Sequence, residues 1–550
     1  EKQNEIQALL LPSNQKLWRT DKLKKMISKL SKLQAPLQAA FKKQVKPCSS
    51  VILTGCDRSF HLTSKSDVTK KDDNSPLYQY GGVHGSSGRG QKIWRNKPLF
   101  RREGDLRFKT GLEAAEMLVA EANRKDGHQR EFIQSWATTM DAISPVFDRM
   151  PKYAWVAKLL LEPERLIQFR VAWLDDSGNA RINRGFRVQY NSALGPYEGG
   201  THFGMGVNAS VSKALALDRT FTNALTGTHM GAAVGGSDFN PHGKSEAEIQ
   251  RFCQSYMTEL SKYIGPDMDI PGMGLSTGPN EMGYMYGQYK RINNHTSQKG
   301  RGLLWGGHPP FPMCPGWGVV HFAQNVLADK GEDLKGKKCL ITGSGKNALA
   351  VAQKLLEYGA IPVTFTDSSG HIYEPDGIDA QKLKQIQKIK SERGARIGRY
   401  IIASTTARYN EPENIFNIPC DLVFLCGKMN ELNDQIATVL ADNGCLGVFE
   451  GCNMPSTPEA IKVYKKRGLL FGPYRATLAG ANLTNGIALQ TSPLSTPQEM
   501  DEKLKGVMQR TFKLCKSTAQ EYNIRGNLHA GASIAAFVKV ADAMFTQGSV

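Results

Sequence analysis

Apolar side chains recur at helical spacing at Leu23, Met26, Ile27, Leu30 and Leu33, and Lys24, Lys25, Lys29 and Lys32 fill the opposite face. Residues 15–35 are therefore expected to form a basic amphipathic helix, stopped or kinked at Pro36. Residues 45–107 show little periodicity, and the run 81–90 is flexible by its glycine and serine content. From about Gly111 the pattern is that of a packed body. Residues 111–121 and 130–150 have helical spacing, 162–170 leads into a strand, 175–178 is a turn and 184–189 a second strand. Residues 229–239 hold two glycines and a Ser-Asp after a single apolar residue, Val234, and the flanks 223–226 and 240–245 read as a loop between ordered segments. Lys338–Thr342 is an apolar strand, followed by Gly343-Ser-Gly-Lys-Asn-Ala348, a helix over 350–358 and a second strand over 363–367.

Strand, Gly-x-Gly-x-x-Ala and helix form the phosphate-binding turn of a Rossmann domain. Gly343, Ser344, Gly345 and Ala348 are its candidate cofactor residues, with Asp367 and Ser368 at the end of the second strand and Lys346 adding positive charge. The same glycines also serve a strand–helix turn that binds nothing.

At 550 residues, 40% hydrophobic and 22% charged, the chain has room for two or three domains. No apolar run reaches the ~18 residues that suggest a membrane span. Ten cysteines without a CxxC pair indicate neither a metal site nor a disulfide framework, and a reducing compartment is the default.

Charge changes the picture more. The net charge is +19, and residues 1–110 carry 23 Lys+Arg against 9 Asp+Glu, so most of the excess lies in an N-terminal arm. Lys22, Lys24, Lys25, Arg89, Lys92, Arg95, Lys97, Arg101 and Arg102, interleaved near the end with Trp94 and Phe100, suit phosphate contacts and base stacking on RNA. A solvated tail or a plain linker is the alternative. The amphipathic helix also fits a transit peptide, and the opening on Glu1 fits a targeting segment already removed.

Over roughly residues 112–550 the chain resembles the glutamate dehydrogenase family. The anchors include Gly195-Pro-Tyr197, Gly199-Gly200, Gly235-Gly-Ser-Asp-Phe239, Gly283-Tyr-Met-Tyr-Gly287, Asn453-Met-Pro455 and 537–544. The resemblance implies an α/β, glutamate-dehydrogenase-like two-domain fold with a Rossmann dinucleotide domain, behind a basic N-terminal extension. The implied divisions are an extension over 1–111, a substrate and oligomerisation domain over 112–310, a dinucleotide domain over 311–485 and a C-terminal helical segment over 486–550. Asp367-Ser368-Ser369 resembles the NADP-linked members.

The family's chemistry needs cations for two substrate carboxylates, a lysine of lowered pKa and a proton-shuttling carboxylate. The resemblance places these at Glu198, Thr222, Val234 and Gly274, where this chain has none of the expected lysines and no aspartate. Thr201 and His202 replace a Met and an Arg, Leu478 and Asn485 replace an Asn and a Ser, and Pro315 replaces a threonine beside the nicotinamide, while Asn430 is retained.

These departures lead to the expectation of no catalytic residues, no metal, and either no cofactor or a residual NADP. The expected role is a pseudoenzyme scaffold in a ribonucleoprotein, most readily the mitochondrial ribosome, in contact with ribosomal RNA and ribosomal proteins. Homo-oligomer formation through the dehydrogenase body and no membrane span complete that expectation. Two alternatives stand beside it. One is an NADP-dependent amino-acid dehydrogenase of altered substrate, with Glu198 accepting a cationic side chain. The other is an inactive regulatory subunit of a mixed glutamate dehydrogenase hexamer.

Overall fold

The computed structural model describes residues 108–293, 313–392, 394–481 and 496–548. The RNA-contact residues expected in the N-terminal arm, and Asn485, lie outside them.

The body opens with helices α1 (Gly111–Asp126), α2 (Arg130–Arg149) and α3 (Lys152–Leu160). Thr110 caps α1, its hydroxyl accepting from Glu113 N at 3.2 Å. Next come β1 (Arg165–Leu174), β2 (Ala180–Asn191), β3 (Tyr197–Phe203), α4 (Ala209–Thr226), β4 (Ala232–Ser237), α5 (Glu246–Leu260), β5 (Asp269–Gly272) and α6 (Pro279–Asn293). The five strands form one mixed sheet in the order β1-β2-β4-β3-β5, with β4, β3 and β5 mutually parallel.

Here the structure corrects the pattern reading twice. Residues 223–226 are the last turn of α4, and 229–239 contains a central strand rather than only loop. That strand is hidden in the sequence because four of its six residues, in Ala-Ala-Val-Gly-Gly-Ser, are Ala or Gly. A Cβ at Gly199 would lie 1.7 Å from the Ala233 carbonyl oxygen, so β3 and β4 approach too closely for alternating large side chains.

The second half runs through α7 (Cys314–Ala328), β6 (Lys338–Thr342), α8 (Lys346–Glu357), β7 (Ile361–Pro362), β8 (Thr364–Asp367), β9 (Gly370–Tyr373), α9 (Ala380–Ser391) and β10 (Arg408–Asn410). It continues through β11 (Leu422–Leu425), α10 (Asp434–Asp442), β12 (Gly447–Glu450), α11 (Pro458–Arg467), β13 (Leu470–Gly472) and α12 (Tyr474–Thr477). Its main sheet is parallel, in the order β13-β12-β11-β6-β7, and β8, β9 and β10 form a small antiparallel sheet. The α/β two-domain fold is thus present, and the helix after the phosphate turn starts four residues earlier than its apolar pattern predicts.

Two closing helices, α13 (Pro497–Glu521) and α14 (Leu528–Thr546), complete the body. α13 opens on a Thr496/Glu499 capping box and packs on α7. By length and composition α14 could cross a membrane, although Lys539 and Asp542 interrupt its apolar run, but 61% of its apolar window is buried, and it packs on α2, α4 and α13. It is a core helix here.

Arg475 of α12 ties these parts together. It donates to Asp218 Oδ1 of α4 and Thr139 Oγ1 of α2, each at 2.7 Å, and to Ser533 Oγ of α14 at 3.2 Å. Both charged groups are buried, and Tyr474 adds a hydroxyl to the same carboxylate.

Candidate substrate face and dinucleotide turn

Along β3 the side chains alternate, so Glu198, Gly200 and His202 share one face. Gly200 and His202 are half-buried, whereas Glu198 is fully buried. Glu198 does not face a ligand as a lone negative charge. Arg219, on α4, donates to it through Nε (3.1 Å) and Nη2 (2.6 and 2.8 Å), and Asn223 Nδ2 lies 3.4 Å from Oε2. This correction removes the reading in which Glu198 is free to accept a cationic side chain.

A second ion pair lies beneath the same strand. Arg187 Nε donates to Asp269 Oδ2 at 2.9 Å, Nη2 holds Oδ1, and Nη1 reaches the carbonyls of Gly199 and Gly200 at 3.3 Å. Both side chains are fully buried, so their charges cancel inside the sheet.

His202 leans back along β3. Its Nδ1 accepts from Leu275 N at 3.0 Å, which leaves the proton of the neutral ring on Nε2. Burial first, then the charges of Arg219 and Arg187, pull its pKa down to about 4. The ring is therefore a neutral hydrogen-bond donor at pH 7 and a poor base.

The other degenerate positions have structural occupations. Val234 belongs to the main core near Val188, and Thr222 returns its hydroxyl to the Asp218 carbonyl at 2.8 Å. At Gly274 a Cβ would lie 2.4 Å from Thr201 O and 3.0 Å from His202 Cε1, so the ring occupies the space an aspartate would need. Thr277 pins this turn, accepting from Gly274 N and donating to Thr201 O. Glu198, Val234 and Gly274 thus sit on or beside neighbouring strands, while Thr222 lies on α4, one turn beyond Asp218.

The dinucleotide side has a different character. Gly343 has φ +78°, and a Cβ there would lie 2.5 Å from Cys426 O, so the turn requires glycine. A Cβ at Gly345 would meet nothing within 4 Å, which leaves open backbone at the N-terminus of α8, the geometry that receives a pyrophosphate. Ala348 is fully buried against the sheet, and Ser344 is buried in the turn. Lys346 extends toward Gly278 and Glu281; burial lowers its pKa and Glu281 opposes that shift.

At the end of β8, burial alone would raise the Asp367 pKa. Hydrogen bonds from Ser369 and from Ile397 N, with Lys390 at 3.7 Å, hold it below the usual carboxylate range. Asp367 is thus already engaged, while Arg396 donates to the Ser368 hydroxyl beside it. A carboxylate turned inward with an arginine and a lysine at the strand end fits a ribose 2′-phosphate better than a bare 2′-hydroxyl. Arg219, Arg396 and Lys390 were not singled out from sequence; for Arg219 the available signal was a charged residue, after Asp218, in a mostly buried helix.

Residues 163–291 match the family model described as the Glu/Leu/Phe/Val dehydrogenase dimerisation domain, and residues 306–548 match that of the Glutamate/Leucine/Phenylalanine/Valine dehydrogenases. The chain is 44% identical to an NADP-specific glutamate dehydrogenase of Chlorella sorokiniana over 465 residues, covering 82% of this chain and 88% of that protein. It is 41% identical to an NADP-specific glutamate dehydrogenase of Giardia intestinalis, covering 80% and 99%. A crystal structure of Plasmodium falciparum glutamate dehydrogenase superposes with a TM-score of 0.77 at 40% identity, over 80% of this chain and 95% of that one.

These relatives overturn the expectation of a non-catalytic, cofactor-free ribosomal component. They are named as NADP-specific dehydrogenases and align with about four fifths of this chain, over 465 and 446 residues. The physical reason is visible in the site: the charge reversal at Glu198 is neutralised by Arg219, and the dinucleotide turn is intact. With both halves of the body matched to one family, the chain belongs to the Glu/Leu/Phe/Val dehydrogenases.

Proposed function

We propose that this chain is an NADP(H)-linked amino-acid dehydrogenase acting on a substrate other than glutamate. The observation that carries the proposal is the bidentate Glu198–Arg219 pair, which replaces a free cation on the substrate face with a neutral one. The NADP assignment draws support from the names of the relatives and from Arg396 and Lys390 at the end of β8.

In this reading NADP, when bound, supplies the hydride acceptor or donor. The backbone at Gly345 and the first turn of α8 receive its pyrophosphate, and Ser368, Arg396 and Lys390 its 2′-phosphate. The β3 face orients the amino or 2-oxo acid. Val234 and Gly274 bring no titratable group, and a positioned acid or base is worth about 10²–10⁴-fold in rate. Turnover is therefore expected to be slower than that of a lysine-bearing relative by a factor of that order. Self-association through residues 163–291 belongs to the same proposal, on the strength of the matched dimerisation domain.

The test is NADPH oxidation by the purified full chain with ammonium and a panel of 2-oxo acids. The expected result is saturable, NADPH-preferring turnover that is faster with a monocarboxylic 2-oxo acid than with 2-oxoglutarate. Preference for 2-oxoglutarate, or failure to bind NADPH, overturns the proposal.

A further inference from the structure

We infer that Cys420 and Cys445 form an oxidisable dithiol at the entry edge of the parallel sheet, which a hydroperoxide closes to a disulfide that staples β11 to β12. The inference does not depend on the dehydrogenase reading.

Register brings the two residues together. β11 and β12 are parallel, with Leu422 opposite Gly447. Cys420 and Cys445 each precede that pair by two positions. The alignment continues outward, since Leu446 N donates to Asp421 O at 2.8 Å. Neighbouring strands lie about 4.7–4.9 Å apart, inside the ~4.4–6.8 Å over which two Cα atoms accept a disulfide. The side chains meet as well. The two thiols share a hydrogen bond, and Cys445 Sγ lies 3.6 Å from Asp421 O and 3.5 Å from Gly447 O, so it points across to the start of β11. Asp421 holds that start in place: its N donates to Lys338 O at 2.9 Å, and its Oδ2 accepts from Lys338 N at 2.7 Å. Closing the bridge therefore asks for little movement of the backbone.

Access separates this pair from its neighbours. Cys253, Cys314, Cys339 and Cys515 are 0% exposed, whereas Cys420 and Cys445 keep 8% and 7%. Pro419 on one side, and Gly444 and Leu446 on the other, are exposed, so a small oxidant has only a thin cover to pass. Cys339 is the competing partner. It lies on β6 opposite Leu422, two positions further into the sheet than Cys420, and its thiol is turned to Lys337 O at 3.5 Å.

The shared hydrogen bond also assigns the roles. It holds the Cys445 thiol below its ordinary value and the Cys420 thiol above it, so Cys445 is the nucleophile and Cys420 resolves. The Cys445 thiolate attacks one oxygen of hydrogen peroxide. The O–O bond breaks, hydroxide leaves and takes up a proton as water, and Cys445 becomes a sulfenic acid. Cys420 sulfur then attacks the Cys445 sulfur; the S–O bond breaks, and the departing hydroxide takes the Cys420 proton as a second water. The two thiols lose two electrons and two protons, which the peroxide accepts. In a reducing compartment the pair rests as thiols. The closed ring spans residues 420–445, with β11 and α10 inside it, and stabilises the fold by constraining the unfolded chain.

The test is treatment of the purified full chain with hydrogen peroxide, followed by blocking of free thiols, peptide mapping and thermal melting. A linked peptide pair containing Cys420 and Cys445 is expected, with a melting temperature raised by at least about 2 °C and restored by dithiothreitol. Cys420→Ser and Cys445→Ser should each lose the peroxide-dependent rise, and Cys339→Ser should keep it. Dimedone should trap a sulfenic acid on Cys445 in the Cys420→Ser protein. Wild-type protein in which peroxide gives no Cys420–Cys445 link, or links Cys420 to Cys339, overturns the inference, and that measurement holds even if a serine variant fails to fold. A rise in melting temperature that survives in both Cys420→Ser and Cys445→Ser also overturns it.

Discussion

At the dinucleotide turn, Arg396 bonds a neutral serine hydroxyl, and Gly345 leaves backbone open at a helix N-terminus. On the β3 face, Arg187 and Arg219 each already hold a carboxylate, and the glycines are in contact with neighbouring strands. One region keeps unspent positive charge at its surface; the other has neutralised its charge internally. In the reading proposed above, the first attracts a polyanion. The second selects by the number and position of donors and has little long-range pull. In the reading proposed above, a face without its family's lysines binds a ligand that carries less charge.

The largest effect that would sharpen this contrast is Arg219→Leu alone. It strands a fully buried Glu198, and breaking such a pair costs about 3–5 kcal/mol, toward the lower end here because Arg219 is partly exposed. Urea unfolding of R219L beside E198Q/R219Q measures it, and equal stability of the two proteins would break the claim that the pair is mutually neutralising. Next is Gly343→Ala, which forces a side chain onto φ +78° and against Cys426 O. A loss of about 1–3 kcal/mol in stability is expected, together with loss of NADPH binding. Arg396→Ala should leave stability unchanged and weaken NADPH by about 10- to 100-fold relative to NADH, the worth of one charge-assisted hydrogen bond. Fluorescence titration of both cofactors reads that ratio, and an unchanged ratio would remove the 2′-phosphate assignment.

The smallest effect is in pH dependence. His202 is held at about 4 in the fold against an ordinary 6.5, so between those values the unfolded chain binds more protons and stability rises with pH. The contribution is lost as pH falls through this window. His529, held at about 3, shares it. His202→Asn should reduce the slope of unfolding free energy against pH between about 4 and 6.5 by at most one proton, and an unaltered slope would place the ring outside the buried face.

The backbone plan was largely legible in the chain. β6 and its glycine turn follow from an apolar run ending in Gly-x-Gly-x-x-Ala, and β1 and β2 from two strands around Asp175–Gly178. β4 was hidden because close strand approach demanded Ala and Gly in place of an alternating pattern. At the site, the departures at Glu198, Thr222, Val234 and Gly274 were plain, and their meaning was not. Whether Glu198 repels a ligand depends on a guanidinium 21 residues away on a helix, and no local pattern reports that pairing. Position 274 read as a missing acid; in three dimensions it is a turn packed against Thr201 and filled by His202.

Arg475 has a consequence for how the chain can be divided. Its partners come from α2, α4 and α14, so the ion pair with Asp218 crosses the point at which the two family-model segments separate. A piece containing residues 313–548 keeps the guanidinium, Ser533 and the nearby Glu450 but loses the carboxylate that bonds Arg475, and a piece containing 108–293 keeps Asp218 without that arginine. Each alone carries a charge that its own folding would have to bury. The two halves are expected to be insoluble when expressed apart and to reassemble when expressed together, which makes this protein a fragment-complementation system with its recognition element already in the core.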